Sequence, residues 1–304
     1  MNHKYCVLIL THGRPDKVHT LKTLDRYGYT GDWFLVIDNE DTTADQYIEN
    51  FGEDKVVIFD KKAAAKKFDE ADNFEDRRAI FYARNASFDI AEQLGYQYFI
   101  QLDDDYDSFR WRLNPEIEYS SKMLSEDKTY RVLDKVFDTM FDYLINTPRL
   151  TTICMAQSGD FIGGGGSRMC TDQYRRKAMN SFFCDTKRRF EFQGRINEDV
   201  NAYTSLASRG VLMLTTAFVS LNQKTTQQQE GGMSNIYLDS GTYVKTFYSV
   251  IIHPSGVKVS VLFNTSARKK DAPKTNSLVR IHHRISWKHT APMILQEKIK
   301  KSLT

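Results

Sequence analysis

Residues 96–105 read YQYFIQLDDD, an apolar-rich stretch, Tyr96–Leu102, that runs straight into Asp103, Asp104 and Asp105. Gly95 stops the segment before it, Arg78–Leu94, in which Ile80, Ala83, Phe88, Ala91 and Leu94 recur at helical spacing. Nearer the N-terminus, Tyr5–Thr11 (YCVLILT) is a continuous apolar run, as a strand covered on both faces requires. Pro15–Tyr27 follows as a helix with Pro15 in its first turn, and Trp33–Ile37 and Val56–Phe59 are further buried strands. Strands alternating with helices predict an α/β fold: a Rossmann-type, mostly parallel sheet with helices on both faces.

Three strand ends carry chemistry. The first runs into Thr11-His12-Gly13-Arg14-Pro15, the second into Asp38-Asn39-Glu40-Asp41, and the strand before Asp103 into the acidic triplet. An open parallel sheet binds ligands outside the carboxyl ends of its strands, so all three clusters point into one crevice. Carboxylates packed as closely as Asp103–Asp105 repel one another until a cation neutralises them. Magnesium or manganese bridging to a substrate diphosphate satisfies that need, because both ions prefer carboxylate and phosphate oxygens.

Beyond residue 110 the alternation loosens into a mixed α+β region, dividing the chain into 1–110 and 111–304. Arg131–Ile145 reads as a helix, Thr151–Met155 as a short strand and Gly163–Gly166 as a loop. Ile196–Ser208 reads as a helix with Asn197 as its cap and Gly210 just past its end. Val211–Leu221 is a strand or a strand pair, Lys224–Ser234 a polar loop and Tyr243–Ile252 a helix; two β-like runs, Val257–Phe263 and Leu278–Lys288, flank the basic Ser266–Asn276.

The 304 residues include 19 Phe, 16 Tyr and 3 Trp against 6 Pro, which excludes a disordered chain. No apolar run approaches the roughly 18 residues of a membrane span. Four widely spaced Cys without a CxxC pair exclude a zinc knuckle and a disulfide framework, and point to a reducing, cytoplasmic setting. The net charge of +3 conceals a division: residues 1–160 carry −10, 161–250 carry +4 and 251–304 carry +9. An acidic first half and a basic end predict two kinds of partner.

The apolar strand ending in LDDD, preceded by Ala83-Arg84-Asn85, resembles the nucleotide-sugar-binding half of GT-A glycosyltransferases. The Thr11–Pro15 turn and the Val36-Ile37-Asp38-Asn39 strand end strengthen the likeness, which covers about residues 4–107. The resemblance implies that Asp103–Asp105 are the DxD motif. Asp105 would be the direct ligand of Mn2+ or Mg2+ with Asp103, and Asp103 and Asp104 would stand at the diphosphate and ribose of a UDP-sugar. It also implies that Asp38 and Asn39 face the nucleoside, that Arg84 sits beside the nucleotide, and that Thr11 and Arg14 belong to the same site. Asn197-Glu198-Asp199 resembles the family's ED motif, with Asp199 or Glu198 as the base that deprotonates an acceptor hydroxyl. Many such enzymes add a C-terminal His to the metal. In the alternation of residues 279–287, His283 shares a face with Val279, Ile281, Ile285 and Trp287, while His282 lies among cations; the metal role falls to one of the pair.

Arg168, Arg175, Arg176, Arg188 and Arg189 lie among Tyr174, Phe182, Phe183, Phe190 and Phe192, and the tail adds Lys258, Arg280 and Arg284. Basic side chains interleaved with aromatics are what a nucleic-acid groove uses. Ile196–Asp199, Gly231-Gly232-Met233, His253-Pro254-Ser255 and Arg280–Arg284 also resemble the TET-associated glycosyltransferases of tailed phages. That likeness implies a DNA acceptor, a 5-hydroxymethylpyrimidine base drawn out of its stack. The alternatives are a saccharide or protein acceptor, or a catalytically inactive nucleic-acid-binding module with this fold. No membrane partner is expected, and the sequence carries no mark of oligomeric state.

Overall fold

The first strand, β1 (Tyr5–Leu10), is buried at all six positions, and its side chains alternate between two cores. Cys6, Leu8 and Leu10 enter one; Tyr5, Val7 and Ile9 enter the other. That alternation requires a sheet covered on both faces. The computed structural model describes residues 3–73, 77–111, 131–157, 177–223, 234–263 and 279–290. Its other elements are α1 (His19–Arg26), β2 (Asp32–Asp38), α2 (Ala44–Phe51), β3 (Val56–Phe59), α3 (Lys61–Ala65), α4 (Phe81–Gln93), β4 (Tyr98–Asp103) and β5 (Tyr106–Trp111). Then come α5 (Leu133–Asn146), β6 (Leu150–Gln157), β7 (Ser181–Asp185), α6 (Glu198–Ser208), β8 (Leu212–Gln223), α7 (Ser234–Ile252), β9 (Val257–Phe263), β10 (Val279–Ile285) and α8 (Trp287–Thr290).

Eight strands form one sheet in the order β3-β2-β1-β4-β7-β6-β8-β5, and β9 pairs with β10 in a separate two-stranded ribbon. The first half is parallel, with β1 against both β2 and β4 and β2 against β3. β7 then runs antiparallel to β4 and β6, while β6 and β8 are parallel. The fold is therefore the expected α/β sheet, Rossmann-like through β4 and mixed beyond it. One core packs α4 and α6 on one face through Phe88, Ala91, Val200 and Tyr203. The other packs α1, α2 and α5 through Leu24, Tyr47, Phe137 and Phe141.

Three local expectations are corrected. The helix expected from Pro15 begins at His19, because Arg14–Lys17 form a turn (Lys17 N–H to the Arg14 carbonyl, 3.0 Å) and the Thr20 N–H donates to the Asp104 carbonyl at 3.1 Å. Asn197 does not cap α6 with its side chain: its backbone is left-handed (φ +54°) and its amide donates to the Lys245 carbonyl at 2.8 Å. The helix expected at Tyr243–Ile252 starts earlier, at Ser234. The glycine run 163–166 and segments 224–233 and 266–276 lie outside the described residues.

Phe137 is fully buried, with ring contacts to Tyr5, Tyr29, Phe109 and Phe183. Phe137→Ala is expected to lower stability by about 3–5 kcal/mol through the cavity it leaves, as measured by urea denaturation.

Candidate active site

The carboxyl ends of β1, β2, β3 and β4 meet at a crevice of about 310 Å³ whose walls include Thr11, Arg14, Asp38, Lys61, Asp103, Asp104 and Asp105. Parallel register brings them together: Leu10 lies opposite Asp103 and Val36, and Asp38 opposite Phe59. The acidic turn is clamped from below by α1. Thr20 Oγ1 donates to the Asp103 carbonyl at 2.6 Å and accepts the Tyr106 N–H at 3.1 Å.

The three aspartates have different partners. Asp104 accepts from Thr11 Oγ1 at 2.7 Å and from Arg14 Nη1 at 3.3 Å, and so joins the β1 loop to the turn. Asp103 accepts from Arg84 Nη2 at 2.9 Å. Asp105 is buried, and its Oδ1 has no hydrogen-bond partner among the described residues. Burial, then Asp103 and Asp104, push its carboxyl up to about 7; burial likewise raises Asp103 to about 6 against the pull of Arg84. Uncompensated carboxylate charge and an orphaned oxygen fit a divalent cation. Among the described residues no three His, Cys, Asp or Glu side chains are grouped around one point. A cation on Asp105 and Asp103 would therefore complete its shell with substrate and water oxygens.

At the other end, Asp38 lies 3.1 Å from Lys61 Nζ and 3.0 Å from His12 Nδ1. Burial opposes its charge, but His12 and Lys61 outweigh burial and hold the carboxyl below its ordinary value. The Asp38 hydrogen bond in turn raises the His12 pKa. Gly13, at φ +67°, sends its N–H to Asp41 at 2.7 Å and has open space where a side chain would stand. Lys61 and His12 were not singled out from the sequence. The signal was there, since Lys61 follows the third parallel strand as Asp38 follows the second.

The second acidic pair opens α6. Arg84 Nε donates to Glu198 Oε1 at 3.0 Å, so one guanidinium joins Glu198 to Asp103. Phe182 and Phe192 flank that guanidinium at 5.2 and 5.6 Å. Arg84 is 1% exposed, which corrects its expected place beside the nucleotide: it lies behind the crevice wall, where it ties the two acidic sites together. Asp199 accepts the Val200 N–H at 2.7 Å, and burial, then Glu198, hold its carboxyl well above the usual range. Asn39 is exposed and accepts the Lys61 N–H through its side chain at 3.0 Å.

The basic residues divide. Arg188 is corrected to a structural role: its Nη1 donates to the Leu144 and Leu150 carbonyls at 2.8 Å, satisfying the end of α5, and its Nε pairs with Asp185. Arg189 pairs with Asp89 and Glu92 on α4. Phe182, Phe183, Phe190 and Phe192 are buried core, which corrects the expected aromatic groove. Lys258 and Arg284 are exposed on the ribbon, and Arg280 lies on β10. His282 and His283 are also on β10, and the crevice lining includes neither. Burial, then His282, Lys245 and Lys177, push His283 down to about 4. Arg168, Arg175 and Arg176 lie outside the described residues.

The sequence matches the TET-associated glycosyltransferase family over residues 5–232. The chain belongs to that family. Membership makes it an enzyme of glycosyl transfer, and the crevice, acidic turn and α6 all fall within the matched span. No curated protein matches by sequence. By structure the chain is similar to glucosyl-3-phosphoglycerate synthase from Mycobacterium tuberculosis in complex with Mg2+ and UDP (TM-score 0.44, 10% identity, covering 97% of this chain and 92% of that one). It is similar to the same synthase with Mn2+, UDP and phosphoglyceric acid (TM-score 0.42, 10% identity, 97% and 92%). A further likeness is to a crystallised mycobacterial protein (TM-score 0.43, 8% identity, 93% and 84%).

Arg84→Met leaves the buried Glu198 and the part-buried Asp103 without their cation, and is expected to cost about 3–5 kcal/mol of folding stability, read by urea denaturation at neutral pH.

Proposed function

We propose that this glycosyltransferase takes its sugar from a UDP-sugar, with Mn2+ or Mg2+ held by Asp105 and Asp103, and passes it to an acceptor hydroxyl deprotonated by Asp199. The observation that carries the reading is Asp105, a buried carboxyl in the crevice wall, crowded by two others and with one oxygen that has no partner among the described residues. The cation would supply positive charge to the leaving diphosphate. Arg14 sits at the acidic turn and Lys61 at the nucleoside end beside Asp38. Glu198 is held by Arg84, which leaves Asp199 as the base, and the charge of Glu198 keeps the proton affinity of Asp199 high.

The favoured acceptor is a 5-hydroxymethylpyrimidine base in DNA. The basic end of the chain supports it. A second reading keeps the donor chemistry but uses a saccharide or protein acceptor. It is favoured by the engagement of Arg188 and Arg189 within the fold and by the burial of the aromatics around them.

The test is UDP release from a panel of UDP-sugars, with manganese or EDTA, and with and without hydroxymethylated DNA. Stimulation by that DNA supports the favoured acceptor; equal turnover without it, together with transfer to saccharides, supports the second. Asp105→Ala is expected to abolish metal-dependent release, and metal-independent turnover would overturn the role of Asp105. Asp199→Asn is expected to lower kcat about 10²–10⁴-fold. Because a base must be unprotonated and the Asp199 pKa is raised, kcat of the wild type is expected to climb with pH through the neutral range. A profile already flat from pH 5 would place the base elsewhere.

A further inference from the structure

The two-stranded ribbon β9–β10 begins beyond residue 232, where the family match ends. Its antiparallel register sets Arg284 directly opposite Lys258, and both are exposed. Among the described residues neither has a carboxylate partner. Like charges directly across a strand pair destabilise it, so nothing within the ribbon accounts for this pair, and an anion laid over both would relieve their repulsion. By strand alternation His282 shares the face of Arg284, and Ser260 that of Lys258.

The ribbon is joined to the catalytic half. Trp287, just after β10, stacks on Tyr203 of α6 at 5.9 Å and 10°. Thr246 of α7 donates to the Ile281 carbonyl at 3.3 Å. The ribbon thus packs on α7, and Trp287, which follows it, packs on the helix that opens with Glu198 and Asp199.

We infer that the Lys258–Arg284 face of the ribbon binds the phosphate backbone of a nucleic-acid strand. This rests on the DNA reading of the acceptor. A phosphodiester backbone fits the face because it carries regularly spaced single negative charges and needs no shaped pocket. A sugar or a neutral peptide would leave the paired cations unrelieved.

The test is the affinity of the full chain for a short fluorescein-labelled DNA, single-stranded and duplex, by anisotropy between about 50 and 200 mM salt. The double variant Lys258→Ser/Arg284→Ser is expected to bind roughly tenfold more weakly, with the salt slope reduced by about 2, at an unchanged melting temperature. Charge reversal at both positions is expected to weaken binding further. Unchanged affinity and slope in the double variant overturn the proposal, as does a wild type that binds no DNA at the lower salt. Equal loss of binding to anionic phospholipid vesicles, with DNA binding intact, also overturns it in favour of a membrane. The transferase reading fails separately, if the wild type releases UDP from no UDP-sugar with manganese, whatever the ribbon does to DNA. A wild type that glycosylates hydroxymethylated DNA while the double variant binds as tightly as the wild type removes the ribbon alone.

Discussion

One buried guanidinium organises this molecule. Arg84 is taken wholly out of water, and a cation there is tolerable only if carboxylates and hydrogen bonds replace the water it lost. It finds Asp103 at the end of β4 and Glu198 at the start of α6, between the faces of Phe182 and Phe192. Its neighbour Asn85 extends the tie by exchanging two hydrogen bonds with the backbone of Phe192. Residues 114 apart in sequence are held in one geometry by this contact, and they come from the donor and acceptor sides of the proposed reaction. Neither carboxylate can move without stranding the arginine.

That constraint distributes roles among chemically identical side chains. Asp103 gives one oxygen to Arg84 and Asp104 gives both of its oxygens to Thr11 and Arg14, which leaves Asp105, with the other oxygen of Asp103, to offer charge. At α6, Glu198 is committed to Arg84, and Asp199 has its own helix for a partner. In each cluster one carboxylate is left reactive beside anchored neighbours. The anchored group also raises the proton affinity of the reactive one, because like charges in a low-dielectric site resist joint ionisation.

The parallel half of the fold was legible because its signals are local. A continuous apolar run such as Tyr5–Leu10 has to be a doubly covered strand, and strand-end polar residues follow from parallel topology. The second half was less legible. The tail of β7 and the loop after it, with Phe190 and Phe192 beside Arg188 and Arg189, read as a basic, aromatic surface. A strand buried in the sheet with its arginines folded back onto α5 and α4 has the same composition. β5 was not anticipated, since only two residues separate it from β4 yet it pairs with β8 at the far edge of the sheet.

The sequence by itself determined which residues crowd the strand ends, the acidic triplet, the Glu198-Asp199 pair and the skew of charge toward the C-terminus. Spacing and polarity are properties of neighbours in the chain. Only the tertiary structure decided which carboxylates are neutralised, that Arg84 lies behind the crevice and not in it, that Lys61 reaches Asp38, and that Lys258 faces Arg284. Those facts depend on which distant segments come to share one low-dielectric volume or one strand register, and no local pattern records that.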